Sequence, residues 1–450
     1  MKKRSDRKLR ADAKKLFLAG IDAADAGRIT TRRVSLDNEL LTVRDFLGHE
    51  ESHDLEKYQR IFIAGFGKTA CPMVQSLTDI LQHRIDSGIV ITAHGSGMVF
   101  EQVEVVEAGH PIPDGNGLHG AKRMVNMLTE TNEEDLVIVL ISGGGSALCT
   151  MPAPGITLND IQTLTRVMLE SGADIREVNM VRKHLSQVKG GQLARFAYPS
   201  TMVSLIISDV IGDRLDTIAS GPTAPDPSTF AEAYDVLKKY DLLQHTATAI
   251  RNRIEAGCRG QIPETPKYGD RIFAKVRNIV IANNLTALRA ITRNARAIGY
   301  TPLVLSSRMD GDTRYSAGNF AAMLREFIIP PRGLAMSTCI VSGGEMTARV
   351  SGPGKGGRNQ DFCLALVPLI NNLKRVAVLS AGTDGIDGLT DAAGAIVDYR
   401  THERAKKMGL DVSMALADYD SNSFLKQTDN LVVTGRTRTN VMDIQIVLMD

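Results

Sequence analysis

The chain has 450 residues, more than one hydrophobic core usually holds, and 43% of them are hydrophobic, so two domains are expected. A net charge of +2 excludes a protein that holds nucleic acid or a membrane surface by bulk attraction; any cation that matters must act locally. The five cysteines, Cys71, Cys149, Cys258, Cys339 and Cys363, form no CxxC pair, which argues against a zinc or disulfide framework and for a reducing cytoplasm. Aliphatic runs such as Leu136 to Ile141 are too short to span a bilayer, so a soluble, cytoplasmic protein is expected.

Residues 7 to 25 place Leu9, Ala13, Leu16 and Phe17 at helical spacing between lysines and arginines, an amphipathic helix with a solvated basic face. The polar segment from 26 to 58 carries no recognisable chemistry. Arg60 to Ala64 reads as a buried strand that ends at Gly65-Phe66-Gly67-Lys68-Thr69-Ala70 and continues as a helix. Strand, glycine turn and helix present backbone amides to phosphate. The turn fits neither a P-loop nor the dinucleotide fingerprint, whose third glycine is replaced by Ala70.

Short strands follow at 88–92 and 103–107, then the proline-fixed loop Gly109-His110-Pro111-Ile112-Pro113-Asp114. His110 reads as a hydrogen-bonded structural residue, with substrate orientation as the alternative. Asp135 to Ile141 suits a central parallel strand buried on both faces, and it runs into Ser142-Gly143-Gly144-Gly145-Ser146. Three consecutive glycines imply close approach of a ligand to the backbone. With no His-Asp partner in view, Ser142 and Ser146 are expected to bond a carboxylate or phosphate. Thr157 and Asp160 form a capping box for a helix over 158–171.

Lys183, His184 and Ser186 precede the pair Gly190-Gly191, so one of them is an anion-contact candidate. A buried strand over 202–207 ends at Asp209, a candidate for Mg²⁺ or for orienting a substrate hydroxyl. The break Pro263-Glu264-Thr265-Pro266 is taken as the domain boundary, and the strand Asn278 to Ala282 as the first of the second lobe. Strand and helix alternate again through 302–305, 313–328 and 338–341, with a further strand over 347–350.

Glycine and charge are densest at Val341-Ser342-Gly343-Gly344-Glu345 and Gly354-Lys355-Gly356-Gly357-Arg358-Asn359-Gln360. There Lys355 and Arg358 supply charge, and Asn359 opens a helix whose N-terminus favours an anion. The run Gly382-Thr383-Asp384-Gly385-Ile386-Asp387 offers a loop for Mg²⁺ or substrate hydroxyls. The expected organisation is α/β: a helical segment 1–45 that packs on the second domain, a Rossmann-like domain over 46–260, and a second α/β domain over 270–450.

Together these motifs resemble the glycerate 2-kinase family, whose C-terminal domain is called MOFRL. The resemblance covers Gly67-Lys68, His110 to Asp114, Ile141 to Leu148, Arg182 to Ser186, Lys189-Gly190-Gly191, Ser208-Asp209 with Ile218 to Pro227, Ser342 to Glu345, Gly354 to Gln360 and Gly382 to Ala395. It implies phosphorylation of the 2-hydroxyl of D-glycerate by ATP with Mg²⁺, in a cleft between a Rossmann-like domain and a MOFRL-type domain. It also implies Lys68 and Arg358 as catalytic residues. Two departures stand out. Ile211 replaces the proline usual after Ser-Asp-Val, and Gly435-Arg436-Thr437-Arg438-Thr439-Asn440 replaces Gly-Pro-Thr-Gly-Thr-Asn, which bears on acceptor specificity.

The site expected on this basis has Lys68, Arg358 and Asp209 as catalytic groups. Gly67, Ser142, Gly143, Gly144, Gly145, Ser146, Lys183, His184, Glu345, Gly356, Gly357, Asn359 and Thr383 bind substrate or nucleotide, and Asp209, Asp384 and Asp387 hold metal. A homodimer is the expected assembly. The competing readings are an NAD(P)H-dependent hydroxypyruvate reductase and a non-catalytic binding protein for anionic metabolites.

Overall fold

The computed structural model describes residues 4–328 and 337–450. The chain divides into two compact units, a first lobe of Ala26–Ile281 and a second made of residues up to Asp25 with Ala282–Asp450.

In the first lobe six strands lie in the spatial order Val103–Ala108, Ser87–Ala93, Arg60–Phe66, Asp135–Ile141, Thr201–Ile207, Val276–Ala282. The first five pair in parallel. Every residue of Asp135–Ile141 is buried, as its unbroken apolar run requires in a strand covered on both faces. Its one charged residue, Asp135, stands opposite Arg60 in register and takes two of that arginine's N–H groups at 3.0 and 2.7 Å. The chain builds outward from Arg60–Phe66 in one direction, then returns and builds outward from Asp135–Ile141 in the other. This is the strand order of the dinucleotide-binding fold, and its switch point lies between those two strands.

A second apolar cluster of this lobe joins the helices Leu158–Glu170, Ile175–His184, Phe230–Lys239 and Thr248–Cys258. The Thr157–Asp160 capping box forms as its spacing predicts. Two sequence expectations are corrected here. The segment 1–45, expected to be helical and to pack on the second domain, divides after Asp25: from Ala26 it belongs to the first lobe, as the helix Ala26–Arg33 and the start of a three-stranded antiparallel sheet, Val34–Asp37, Leu40–Arg44 and Glu50–Asp54. The strand Val276–Ala282 closes the first lobe's sheet instead of opening the second lobe, because its edge bonds Thr201–Ile207, with the Met202 N–H donating to the Lys275 carbonyl at 3.0 Å.

In the second lobe the helix Asp6–Ala23, N-capped by Ser5, buries Leu9, Ala13, Leu16 and Phe17 against the helix Asn284–Ala297 and the sheet. Arg4 fastens its start: the backbone N–H donates to Asp450 Oδ2 at 2.5 Å, and the guanidinium donates to Ser337 Oγ and the Ile298 carbonyl, both at 2.7 Å. The sheet runs Thr301–Met309, Thr338–Gly344, Asp443–Met449, Val376–Gly382, Gly394–Asp398, Leu431–Val432. The last strand of the chain, Asp443–Met449, lies antiparallel between two strands that both end in glycine. The strand expected over 347–350 reduces to a single bridge from Thr347 to Asp312.

Candidate active-site residues

In an open α/β sheet, ligands bind beyond the carboxyl ends of the strands at the switch point. Both glycine turns of the first lobe lie there. The Lys68 N–H donates to the Gly143 carbonyl at 2.9 Å, and the Thr69 N–H donates to Ser142 Oγ at 3.2 Å. The approach is so close that a methyl group on Gly67, whose φ is +137°, would overlap Ser142. One on Gly144, with φ +84°, would lie 2.8 Å from the His110 ring and 3.2 Å from Lys68 Cγ. Half-buried Lys68, the His110 ring and the Gly143-Gly144 backbone thus share one small region.

The turn continues into a four-residue helix, Gly145–Leu148, whose Ser146 carbonyl is held from below. It accepts from Arg182 Nη2 at 2.9 Å and from Lys189 Nζ at 2.7 Å, and Lys189 also donates to the Cys149 carbonyl at 2.9 Å. Lys189 is buried and Arg182 is half-buried. Burial lowers Arg182 to about 10. Burial, with the charge of Arg182 beside it, lowers Lys189 to about 7.

Neighbouring residues that the sequence offered as ligand contacts serve the fold. Lys183 is buried between Asp226 at 3.2 Å and Asp216 at 3.5 Å, so its anion is internal. His184 is fully buried, its ring between the Met180 carbonyl at 2.8 Å and Glu264 at 3.2 Å, against Phe230. Ser142 is also buried, and its hydroxyl ties one turn to the other. Asp209, half-buried, follows Ser208 just beyond the strand Thr201–Ile207.

The second lobe has its own cluster, organised by the antiparallel last strand. Asp443 stands opposite Gly344 on one side and Gly382 on the other. Completely buried, it takes Arg358 Nε at 2.5 Å and Nη2 at 3.0 Å, while Arg358 Nη1 reaches Glu345 at 2.7 Å. Burial alone would lower the arginine's pKa; Asp443 and Glu345 outweigh it and hold the guanidinium above its ordinary value. The helix Arg358–Leu366 does attract an anion to its N-terminus, and that anion is Asp387. Its carboxylate accepts the Asn359 and Gln360 backbone N–H groups at 3.1 and 2.8 Å and both side-chain amides at 3.2 and 3.0 Å. Burial, then the charge of Asp443, raises Asp387 to about 6 despite those bonds. Gly357 leaves the room Asp387 needs, and Gly356 the room for Ser421, since a methyl group on either would overlap that side chain. Thr383 is buried, donating to the Met442 carbonyl at 2.7 Å and accepting from the Val441 N–H at 2.8 Å.

Of the magnesium ligands expected from sequence, Asp209, Asp384 and Asp387, the two in the second lobe already have hydrogen-bond partners. Asp387 spends its carboxylate on four N–H donors, and Asp384 Oδ1 accepts from the Ile386 N–H at 3.1 Å. No group of three metal-ligating side chains converges among the described residues.

Two family models match the chain: a domain of unknown function, DUF4147, over residues 12–255, and the MOFRL family over residues 338–443. A glycerate 2-kinase from Pyrococcus horikoshii is 37% identical over 430 residues, covering 95% of this chain and 94% of its own. A relative from Agrobacterium vitis, provisionally named a hydroxypyruvate reductase, is 36% identical over 397 residues, covering 87% of this chain and 99% of its own. The crystal structure of a glycerate kinase from Thermotoga maritima superposes with a TM-score of 0.85 at 35% identity, covering 99% of this chain and all of that one. The chain belongs to the glycerate kinase family.

Sequence reading offers Lys68, the Ser142 to Ser146 turn and Arg358 as site residues; it does not single out Asp443, and it quotes Arg182 and Lys189 only within longer motifs. Asp443 opens a strand that is apolar but for Gln445, and a charge at the head of a buried strand was the available signal. Arg182 begins and Lys189 follows a charge cluster whose inward direction no spacing rule reveals.

Proposed function

We propose that this protein transfers the γ-phosphoryl group of ATP to the 2-hydroxyl of D-glycerate, giving 2-phosphoglycerate, in the cytoplasm. What supports this most is the packing of the Lys68 turn against the Ser142 to Ser146 turn at the sheet's switch point, in a chain whose relatives include a glycerate 2-kinase. Phosphoryl transfer asks chiefly for alignment and for positive charge facing the equatorial oxygens. In this reading Lys68 supplies that charge and the glycine amides orient the phosphates. Arg358, fixed by Asp443 and Glu345, acts as a rigid donor group in the same reaction. Asp209 orients the acceptor hydroxyl. Magnesium enters with the nucleotide, and when bound it would neutralise charge on the phosphates.

The reductase reading draws on the Agrobacterium vitis relative's name. Against it stands the first turn, with Ala70 where a dinucleotide fingerprint has glycine. The deciding experiment incubates the protein with D-glycerate, ATP and Mg²⁺, following ADP release and coupling the product to enolase. Prompt signals in both assays are expected. NADH oxidation on hydroxypyruvate without ADP release would replace the kinase by the reductase. In the kinase, Lys68→Ala should lower turnover about 10²- to 10³-fold, as loss of one preorganised electrostatic donor does.

A further inference from the structure

Three polar side chains run in a line beneath the first lobe's glycine turn. Ser220 Oγ donates to Asn179 Oδ1 at 3.1 Å, and Ser146 Oγ lies 2.8 Å from Ser220 Oγ. Asn179 and Ser220 are buried, while Ser146 is partly open to solvent. A hydroxyl carries one hydrogen. Ser220 spends its hydrogen on Asn179, so the hydrogen in the Ser146–Ser220 bond belongs to Ser146. The solvent-facing hydroxyl at the end of the line is left with lone pairs only.

The line is held with care. Ala219, Ser220 and Gly221 all adopt left-handed backbone, with φ of +50°, +63° and +61°. That conformation is costly for Ala and Ser and persists only where surroundings impose it. Here the Gly190 and Gly191 N–H groups donate to the Ser220 and Gly221 carbonyls at 2.9 and 2.6 Å. At the other end the Ser146 carbonyl is pinned by Arg182, Lys189 and Thr150. The position of Ser146 is therefore set by Arg182, Lys189 and Thr150, and the polarity of its hydroxyl by the buried Ser220 and Asn179.

An acceptor-only hydroxyl repels carboxylate and phosphate oxygens, which have no hydrogen to give, and it attracts an alcohol. We infer that Ser146 Oγ, in place of the Asp209 carboxylate assigned that contact above, accepts the one hydrogen of the substrate hydroxyl that receives the phosphoryl group, and that Asn179 and Ser220 are positioning residues that keep it an acceptor. The inference rests on the kinase reading above and reverses the sequence expectation of a Ser146 bond to a carboxylate or phosphate. It gives the site a means of selecting 2-hydroxy acids over acids without that hydroxyl.

The test compares KM for D-glycerate with the inhibition constant of 3-hydroxypropionate, which lacks the 2-hydroxyl, in wild type and variants. ADP release by the wild type on D-glycerate is the control for the kinase reading itself; its failure would sink that reading whatever the variants do. With the control in place, Ser146→Ala is expected to weaken D-glycerate about three- to tenfold, the worth of one hydrogen bond, and to leave 3-hydroxypropionate unchanged. Asn179→Leu should reproduce that loss, and Asn179→Asp, which still offers an acceptor, should restore discrimination. Equal weakening of both acids by Ser146→Ala, or no weakening of either, overturns the contact. Normal discrimination in Asn179→Leu overturns the relay.

Discussion

Asp443 and Arg358 meet through two hydrogen bonds, Nε to Oδ2 at 2.5 Å and Nη2 to Oδ1 at 3.0 Å, with the carboxylate fully enclosed and the arginine side chain 34% exposed. The pair exists because the last strand runs antiparallel between two glycine-ended strands and delivers Asp443 to the edge where Arg358 begins its helix. Arg358→Ala would leave a buried carboxylate without its counter-charge. Breaking such pairs costs roughly 3–5 kcal/mol, and the solvated part of the guanidinium places this one toward the lower end. Urea denaturation should show that loss. Unchanged stability would mean that Asp443 is compensated by another group.

Arg358→Lys separates charge from geometry. An ammonium has no planar fork and cannot bridge Asp443 and Glu345 as the guanidinium does. The variant should fold, with turnover in the ADP-release assay reduced at least about tenfold. Turnover within twofold of wild type would show that charge alone suffices at this position.

Two glycines of the first lobe share a left-handed backbone and differ in their surroundings. Gly144→Ala adds strain at φ +84° and drives a methyl group to 2.8 Å from His110, beside Lys68. Gly155→Ala adds similar strain at φ +81° with nothing within 4 Å. Strain of this kind costs about 1–3 kcal/mol. Both variants should lower the melting temperature, and only Gly144→Ala should also lower turnover, by tenfold or more. Equal activity in the two would show that the His110 and Lys68 side chains yield without consequence.

How much of this was legible in the sequence follows from the range over which each feature is decided. The apolar run before Ser142, the capping box at Thr157 and the helix carrying Leu9 and Phe17 are fixed by neighbours within a turn or two, and they read correctly. Gly67 and Ser142 lie far apart in the chain, and only strand pairing puts their turns in contact. The 182–184 cluster reads as solvated or ligand-facing because charge usually is. Here Arg182 and Lys183 turn inward to a carbonyl and to Asp226, which depends on tertiary partners. For the same reason the anion at the Asn359 helix was legible as a requirement, while its identity as Asp387 was not.

Asp387 makes that hidden anion measurable. Its folded pKa of about 6 exceeds the ordinary 3.8, so between those values the folded protein binds more protons than the unfolded chain. Its contribution to stability is therefore greatest below about pH 3.8 and is lost as pH rises through about 6. A carboxyl-carbon NMR titration, assigned by Asp387→Asn, should give a midpoint near 6. A midpoint at the ordinary carboxylate value would mean that the four N–H donors outweigh burial.

Lys189 has the opposite sign. Its folded pKa of about 7 lies below the ordinary 10.5, so in that window the unfolded chain binds the extra proton and stability contributed at this position rises with pH. The stability of the wild type relative to Lys189→Met should climb between about pH 7 and 10.5, measured as paired denaturation midpoints. A flat difference would show that the ammonium keeps its proton among the carbonyls. A neutral amine still has two hydrogens for the Ser146 and Cys149 carbonyls. The turn therefore stays pinned on both sides of the titration, and wild-type KM for D-glycerate should not follow the stability change across it.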